Sequence, residues 1–197
     1  MYTLLKSFIV REELLKRRIK IFTPSEFNQV FAVPASKTKR YLGKWVKEGF
    51  LIRLRQGLYA IKSDLPREEE IANRLYKPSY LSFEYALAFY NILPEMPYVV
   101  TSTTTKPTRN FNIATKPFSY MKIKQNAYTG YLLTKIGDSS FLIAEPEKAL
   151  VDYLYFVALS KKPFNERLIT KNLNKEKIIN YSKLFDRPAL SEIIKKI

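Results

Sequence analysis

The chain has 197 residues, 46% hydrophobic and 26% charged, proportions ordinary for a folded globular protein. Thirty-four Lys/Arg against 18 Asp/Glu give a formal charge of +16, which favours a polyanionic partner. Cysteine and histidine are both absent, excluding disulfides, thiolate nucleophiles, Cys/His zinc sites, Ser-His-Asp triads and imidazole acid–base chemistry. No apolar run is long enough to span a bilayer and no signal-type segment opens the chain, so no membrane partner and a cytoplasmic location are expected.

From Tyr2 to Lys16, Leu4, Leu5, Phe8, Ile9 and Leu15 are spaced for a helix with one apolar side. The basic run Lys16, Arg17, Arg18 and Lys20 leads into Ile21 and Phe22, which either pair as a short strand or plug the core. Thr23, Pro24 and Glu26 form a capping box with proline at the first helical position, predicting a helix over Pro24–Phe31. Val33 and Pro34 close it, and a second helix begins a few residues later.

That second helix is the candidate site. At 100° per residue, Lys37, Arg40, Lys44 and Lys47 form one stripe, while Thr38, Tyr41, Leu42, Trp45 and Val46 centre roughly 150° away and are predicted to be buried. Gly49 stops the helix, and Phe50–Arg55 and Leu58–Ile61 read as a hairpin around Gln56 and Gly57, with Arg53 and Arg55 on its solvent side. A cationic stripe on one helix is usually only a solvated face. The ordered conjunction of two short helices, a glycine stop and a basic hairpin instead points to a winged helix-turn-helix on duplex DNA. The predicted DNA contacts are Ser36, Lys37, Lys39, Arg40, Lys44, Lys47, Arg53 and Arg55.

The pattern breaks at Ser63–Pro66, which divides the chain into residues 1–64 and 65–197. Residues 1–64 hold 14 basic and 5 acidic side chains, so charge is densest around the helix and hairpin. Beyond the break, Arg67–Tyr76 and Ser82–Tyr90 read as helices, with a turn at Lys77, Pro78 and Ser79. Four or five antiparallel strands are predicted within Tyr98–Ile143, a helix over Ala144–Leu159, and two or three short lysine-rich helices after Phe164. The expected fold is α+β, an N-terminal winged helix-turn-helix followed by a mixed domain of helices around an antiparallel sheet. Most of the tyrosines here are expected to be core residues with the hydroxyl at the rim.

Enzymatic readings find little support. Glu145, Glu147 and Lys148 invite comparison with metal-dependent nucleases, but Glu147 and Lys148 are adjacent at a helix start, where carboxylates serve the exposed amides. The five glycines stand apart, leaving no phosphate loop. Neither a cofactor nor a metal is expected, and the chain is read as a non-enzyme.

The segments Arg40-Tyr41-Leu42, Glu48-Gly49-Phe50-Leu51, Arg53–Tyr59, Pro78–Leu87, Thr101-Ser102, Thr105–Arg109 and Pro146–Asp152 resemble the AbiEi family of antitoxins from abortive-infection toxin–antitoxin systems. The resemblance runs from about Lys37 to Tyr155. It implies a winged helix that binds inverted repeats in the promoter of its own operon, with Lys37, Arg40, Lys44 and Lys47 as recognition stripe and Arg53 and Arg55 as wing. It further implies a C-terminal domain that neutralises a nucleotidyltransferase-type toxin. Two copies on a two-fold site suit the helix-turn-helix motif, so a monomer or a DNA-induced dimer is expected. The alternative is a protein- or RNA-binding module without sequence-specific DNA recognition.

Overall fold

The computed structural model describes residues 5–196 and divides into two compact units, Met1–Arg67 and Glu68–Ile197. The fold is mixed α+β, with eight α-helices and nine strands among the described residues.

The first unit contains α1 (Ser7–Lys16), β1 (Ile21–Phe22), α2 (Pro24–Phe31), α3 (Ala35–Lys47), β2 (Leu51–Arg55) and β3 (Leu58–Ile61). Its sheet is antiparallel, in the order β1-β3-β2. The α2 start is fixed reciprocally: the Glu26 amide donates to Thr23 Oγ1 at 3.2 Å, and the Thr23 amide donates to Glu26 Oε2 at 2.6 Å. Between α2 and α3 the chain turns through Ala32 in the left-handed region, and the Thr38 hydroxyl then donates to Asn28 Oδ1, clamping the two helices together.

A Schellman motif ends α3. The Phe50 amide donates to the Trp45 carbonyl at 3.0 Å and the Gly49 amide to that of Val46 at 3.2 Å, with Gly49 at φ +74°. The Phe50 ring meets Trp45 edge-on at 5.7 Å, completing the apolar contact that accompanies this turn. The core comprises Val10, Leu14, Phe22, Phe27, Leu42, Trp45, Leu51 and Ile61.

Two details of this unit depart from the sequence pattern. In α1 the buried residues are Val10 and Leu14, whereas Phe8 and Ile9 are 58% and 41% exposed. The stripe drawn through Phe8 and Ile9 was therefore misplaced, and its Tyr2–Leu4 portion lies outside the described residues. In the hairpin, register shifts between Arg53 and Arg55, so strict alternation fails and Leu51 is buried although it shares its parity with the two arginines.

The second unit contains α4 (Glu68–Leu75), β4 (Ser79–Leu81), α5 (Phe83–Phe89), β5 (Val100–Thr104), β6 (Arg109–Ile113), β7 (Lys116–Lys122), β8 (Tyr131–Ile136), β9 (Ser139–Ala144), α6 (Pro146–Ala158), α7 (Lys175–Lys183) and α8 (Pro188–Ile194). The sheet has six strands in the order β6-β7-β5-β4-β9-β8. It is mixed rather than antiparallel, because β5 pairs with β7 and β4 with β9 in parallel. The extra strand is β4, which begins at Ser79, the last residue of the expected turn, and continues through Tyr80 and Leu81, for which the sequence suggested no element. Three residues are too short for a period-2 pattern, and all three are buried. The β4–β9 pairing holds only at Leu81 and Ile143; one residue back, the Asn73 side chain exchanges hydrogen bonds with the Leu142 backbone in the manner of a strand neighbour.

Gly49 has no atom within 4 Å of where a Cβ would sit, so Gly49→Ala is expected to cost only its left-handed backbone, about 1–2 kcal/mol. Urea unfolding of the variant checks this; an unchanged midpoint would show that the turn tolerates a side chain.

Candidate nucleic-acid interface

Burial of one side of α3 decides where its charges go. Thr38, Leu42 and Trp45 are 1%, 1% and 3% exposed, and Trp45 also contacts Phe27 at 5.9 Å and Tyr41 at 5.3 Å. The same helix leaves Ser36, Lys37, Lys39, Arg40, Lys44 and Lys47 exposed. Arg53 and Arg55 are exposed on β2, and the Arg55 guanidinium donates to the Gln56 carbonyl at 2.9 Å beside the turn at Gly57. All eight predicted contact residues therefore lie at the surface of one unit. Lys44 approaches Glu48 at 3.7 Å, an i,i+4 pair with both side chains more than half exposed, which contributes little.

A helix of 13 residues is about 20 Å long and fits a major groove about 12 Å wide. The short polar Ser36 and Lys37 open its first turn, where a helix lying in that groove meets base edges. Outside α3, the Arg11 guanidinium grips Asp64 at 2.9 and 3.1 Å and holds its carboxyl below the ordinary range, with Ser63 assisting. Arg17 likewise pairs with Glu13 at 2.5 Å. Two members of the N-terminal basic population are thus committed to structure.

The second unit holds a polar cluster that sequence reading passed over. Lys148 and Asp152, one turn apart on α6, are both 0% exposed and paired. Asp152 Oδ2 also accepts from Ser82 at 2.8 Å, Tyr80 at 3.1 Å and Thr103 at 3.4 Å, and Lys148 donates to the Tyr80 oxygen at 3.0 Å. The ammonium lies 5.1 Å from the Phe185 ring centre. Burial pulls the Lys148 pKa down against the opposing charge of Asp152, and burial followed by that same charge pushes the Tyr80 hydroxyl well up.

Lysine and carboxylate in contact are capable of proton exchange, but these two are fully enclosed, so the cluster organises the interior. Its trace in the sequence was a helix apolar nearly all round with a charged i,i+4 pair embedded in it. The nuclease-like trio does not converge: Lys148 turns to Asp152, Glu147 accepts from the Asn174 amide at 3.1 Å, and Glu145 pairs with Lys177 at 2.8 Å. No group of three or more potential metal-ligating side chains occurs among the described residues. Nor does any helix there have the length and apolarity to cross a membrane. No protein-family model matches the chain, and no curated protein matches it.

Removing one partner of the enclosed pair strands the other charge, so Asp152→Ala is expected to lose about 3–5 kcal/mol while Lys148→Met/Asp152→Leu loses less. Denaturant melts decide, and equal losses would contradict the assignment. Burial also raises several tyrosines of this unit, Tyr90 and Tyr153 to about 12. A raised folded-state pKa means that the unfolded chain releases its proton first. Stability is therefore complete below about pH 10 and falls as pH rises towards 12. Thermal melts across that window, with tyrosinate absorbance followed in parallel, should show unfolding and ionisation together.

Proposed function

We propose that Met1–Arg67 is a winged helix-turn-helix that binds duplex DNA sequence-specifically, with α3 in the major groove and the β2–β3 hairpin along the adjacent phosphates. The observation that carries this reading is the exposure of all eight candidate side chains while Thr38, Leu42 and Trp45 hold the opposite side of α3 in the core. Ser36, Lys37, Lys39 and Arg40 reach base edges and nearby phosphates, Lys44 and Lys47 neutralise phosphates further along, and Arg53 and Arg55 form the wing contact.

The resemblance of residues 37–155 to AbiEi antitoxins extends the proposal. The chain represses its own operon at inverted repeats, and the remainder takes part in neutralising a nucleotidyltransferase-type toxin. Two copies on a two-fold operator suit this motif, with half-sites spaced by whole helical turns. The protein acts by binding, without a cofactor or a catalytic step of its own.

The test is a titration of the operator and of an unrelated duplex at several salt concentrations. The operator should bind at least about a thousandfold more tightly than the unrelated duplex. Arg40→Ala is expected to cost about 1–3 kcal/mol if it reads a base, whereas Lys44→Ala should weaken all sequences alike and reduce the salt slope by about one. Equal affinity for operator, unrelated duplex and single strand would replace this reading with that of a module lacking sequence recognition.

A further inference from the structure

α7 and α8 both pack on α6 and on each other, and together with Thr170 they line a groove of about 450 Å³. Ile178, Ile179 and Ile194 form its apolar surface, and Ile179 is 48% exposed, although it neighbours Ile178, which is 5% exposed. Lys175, Lys183 and Lys195 also line the groove, and no carboxylate does. Lys195 is paired with Glu192 at 2.7 Å, but neither Lys175 nor Lys183 has a carboxylate partner among the described residues. The feature is an oily trough with a cationic margin.

We propose that this groove binds an acidic amphipathic helix of a partner protein. Its walls are helices whose backbone amides are spent internally, so an extended peptide would find no ladder to join and would leave its own N–H and C=O groups unpaired over isoleucine. A helix arrives with its backbone already satisfied. The nine residues of α7 extend about 13 Å, room for apolar residues at i, i+4 and i+7 of the incoming helix. Glutamates flanking that stripe meet the lysines. A second copy of this chain is a poor occupant because each copy carries +16. The inference is independent of the DNA-binding reading, which concerns other residues.

The probe is a fluorescein-labelled acidic peptide of about four helical turns, carrying leucines at i, i+4 and i+7 among glutamates and alanines. It is titrated against the full chain and followed by anisotropy. The expected result is saturable binding that falls about tenfold or more in Ile179→Asp and in Lys175→Glu/Lys183→Glu, and persists in Ile179→Leu and in Arg40→Ala/Lys44→Ala. Ile179 is half-exposed, so its aspartate variant should fold, and circular dichroism verifies this. Three outcomes overturn the proposal: equal binding of a scrambled peptide of the same composition, an undiminished signal in Ile179→Asp, or loss of binding in Arg40→Ala/Lys44→Ala. Binding of phosphatidylserine vesicles through the same isoleucine and lysines, without binding of the peptide, assigns the surface to lipid and likewise overturns it.

Discussion

Trp45 does for the first unit what no charged residue does: it settles which way α3 is rotated. Its ring lies between Phe27 of α2, Tyr41 on its own helix and Phe50 just beyond the helix end. An indole buried on three sides resists rotation of the helix far more than any solvated lysine could drive it, because burying an aromatic side chain is worth several times an exposed ion pair. With Trp45, Leu42 and Thr38 inward, geometry leaves Arg40, Lys44 and Lys47 outward. The cationic surface is thus a by-product of hydrophobic packing, and no counter-charge is needed to hold it open.

Charge in the two units is managed differently. The first unit has 15 basic side chains and 5 acidic ones, so pairings such as Arg11–Asp64 and Arg17–Glu13 shape its edges without neutralising it. A positive field remains, and such a field steers polyanions and accelerates their capture. In the second unit ions also enter the interior, where Lys148 and Asp152 are surrounded by hydroxyls of Tyr80, Ser82 and Thr103. There the carboxylate ties α6 to β4 and β5. A buried pair is weak evidence of extra stability, but here the same carboxylate accepts from Tyr80, Ser82 and Thr103, so moving α6 against the sheet would break several hydrogen bonds together.

The sequence carried the first unit well because its signals are local. Thr23, Pro24 and Glu26 mark a helix start within four residues, Gly49 marks a stop, and Gln56-Gly57 marks a hairpin turn, each recognisable without knowing the remainder of the fold. Helix α1 was misread because its apolar residues surround it: Phe8, Ile9, Val10, Leu14 and Leu15 permit more than one stripe, and tertiary contacts selected Val10 and Leu14. The second unit was harder for a different reason. Strand β4 is only three residues long, and the parallel pairings of β5 with β7 and β4 with β9 are set by chain crossings that leave no periodicity in the sequence.

Helix ends show the same division between local and distant information. Gly49 announced its turn because glycine is the usual occupant of a left-handed position, yet Arg18, Asn91 and Ser160 occupy equivalent positions after α1, α5 and α6. At each of these the residue that follows donates back to a carbonyl deep in the last turn: Ile19 to Leu14, Ile92 to Leu87 and Lys161 to Phe156. At the first two, the returning residue is itself apolar and tucks under the helix it has left. At Arg18 and Asn91, apolar contact after the turn offsets the strain of a side chain at the turn, so there the signal lies in the pair of residues; after α6 the returning residue is Lys161, and the backbone hydrogen bond alone accompanies the turn.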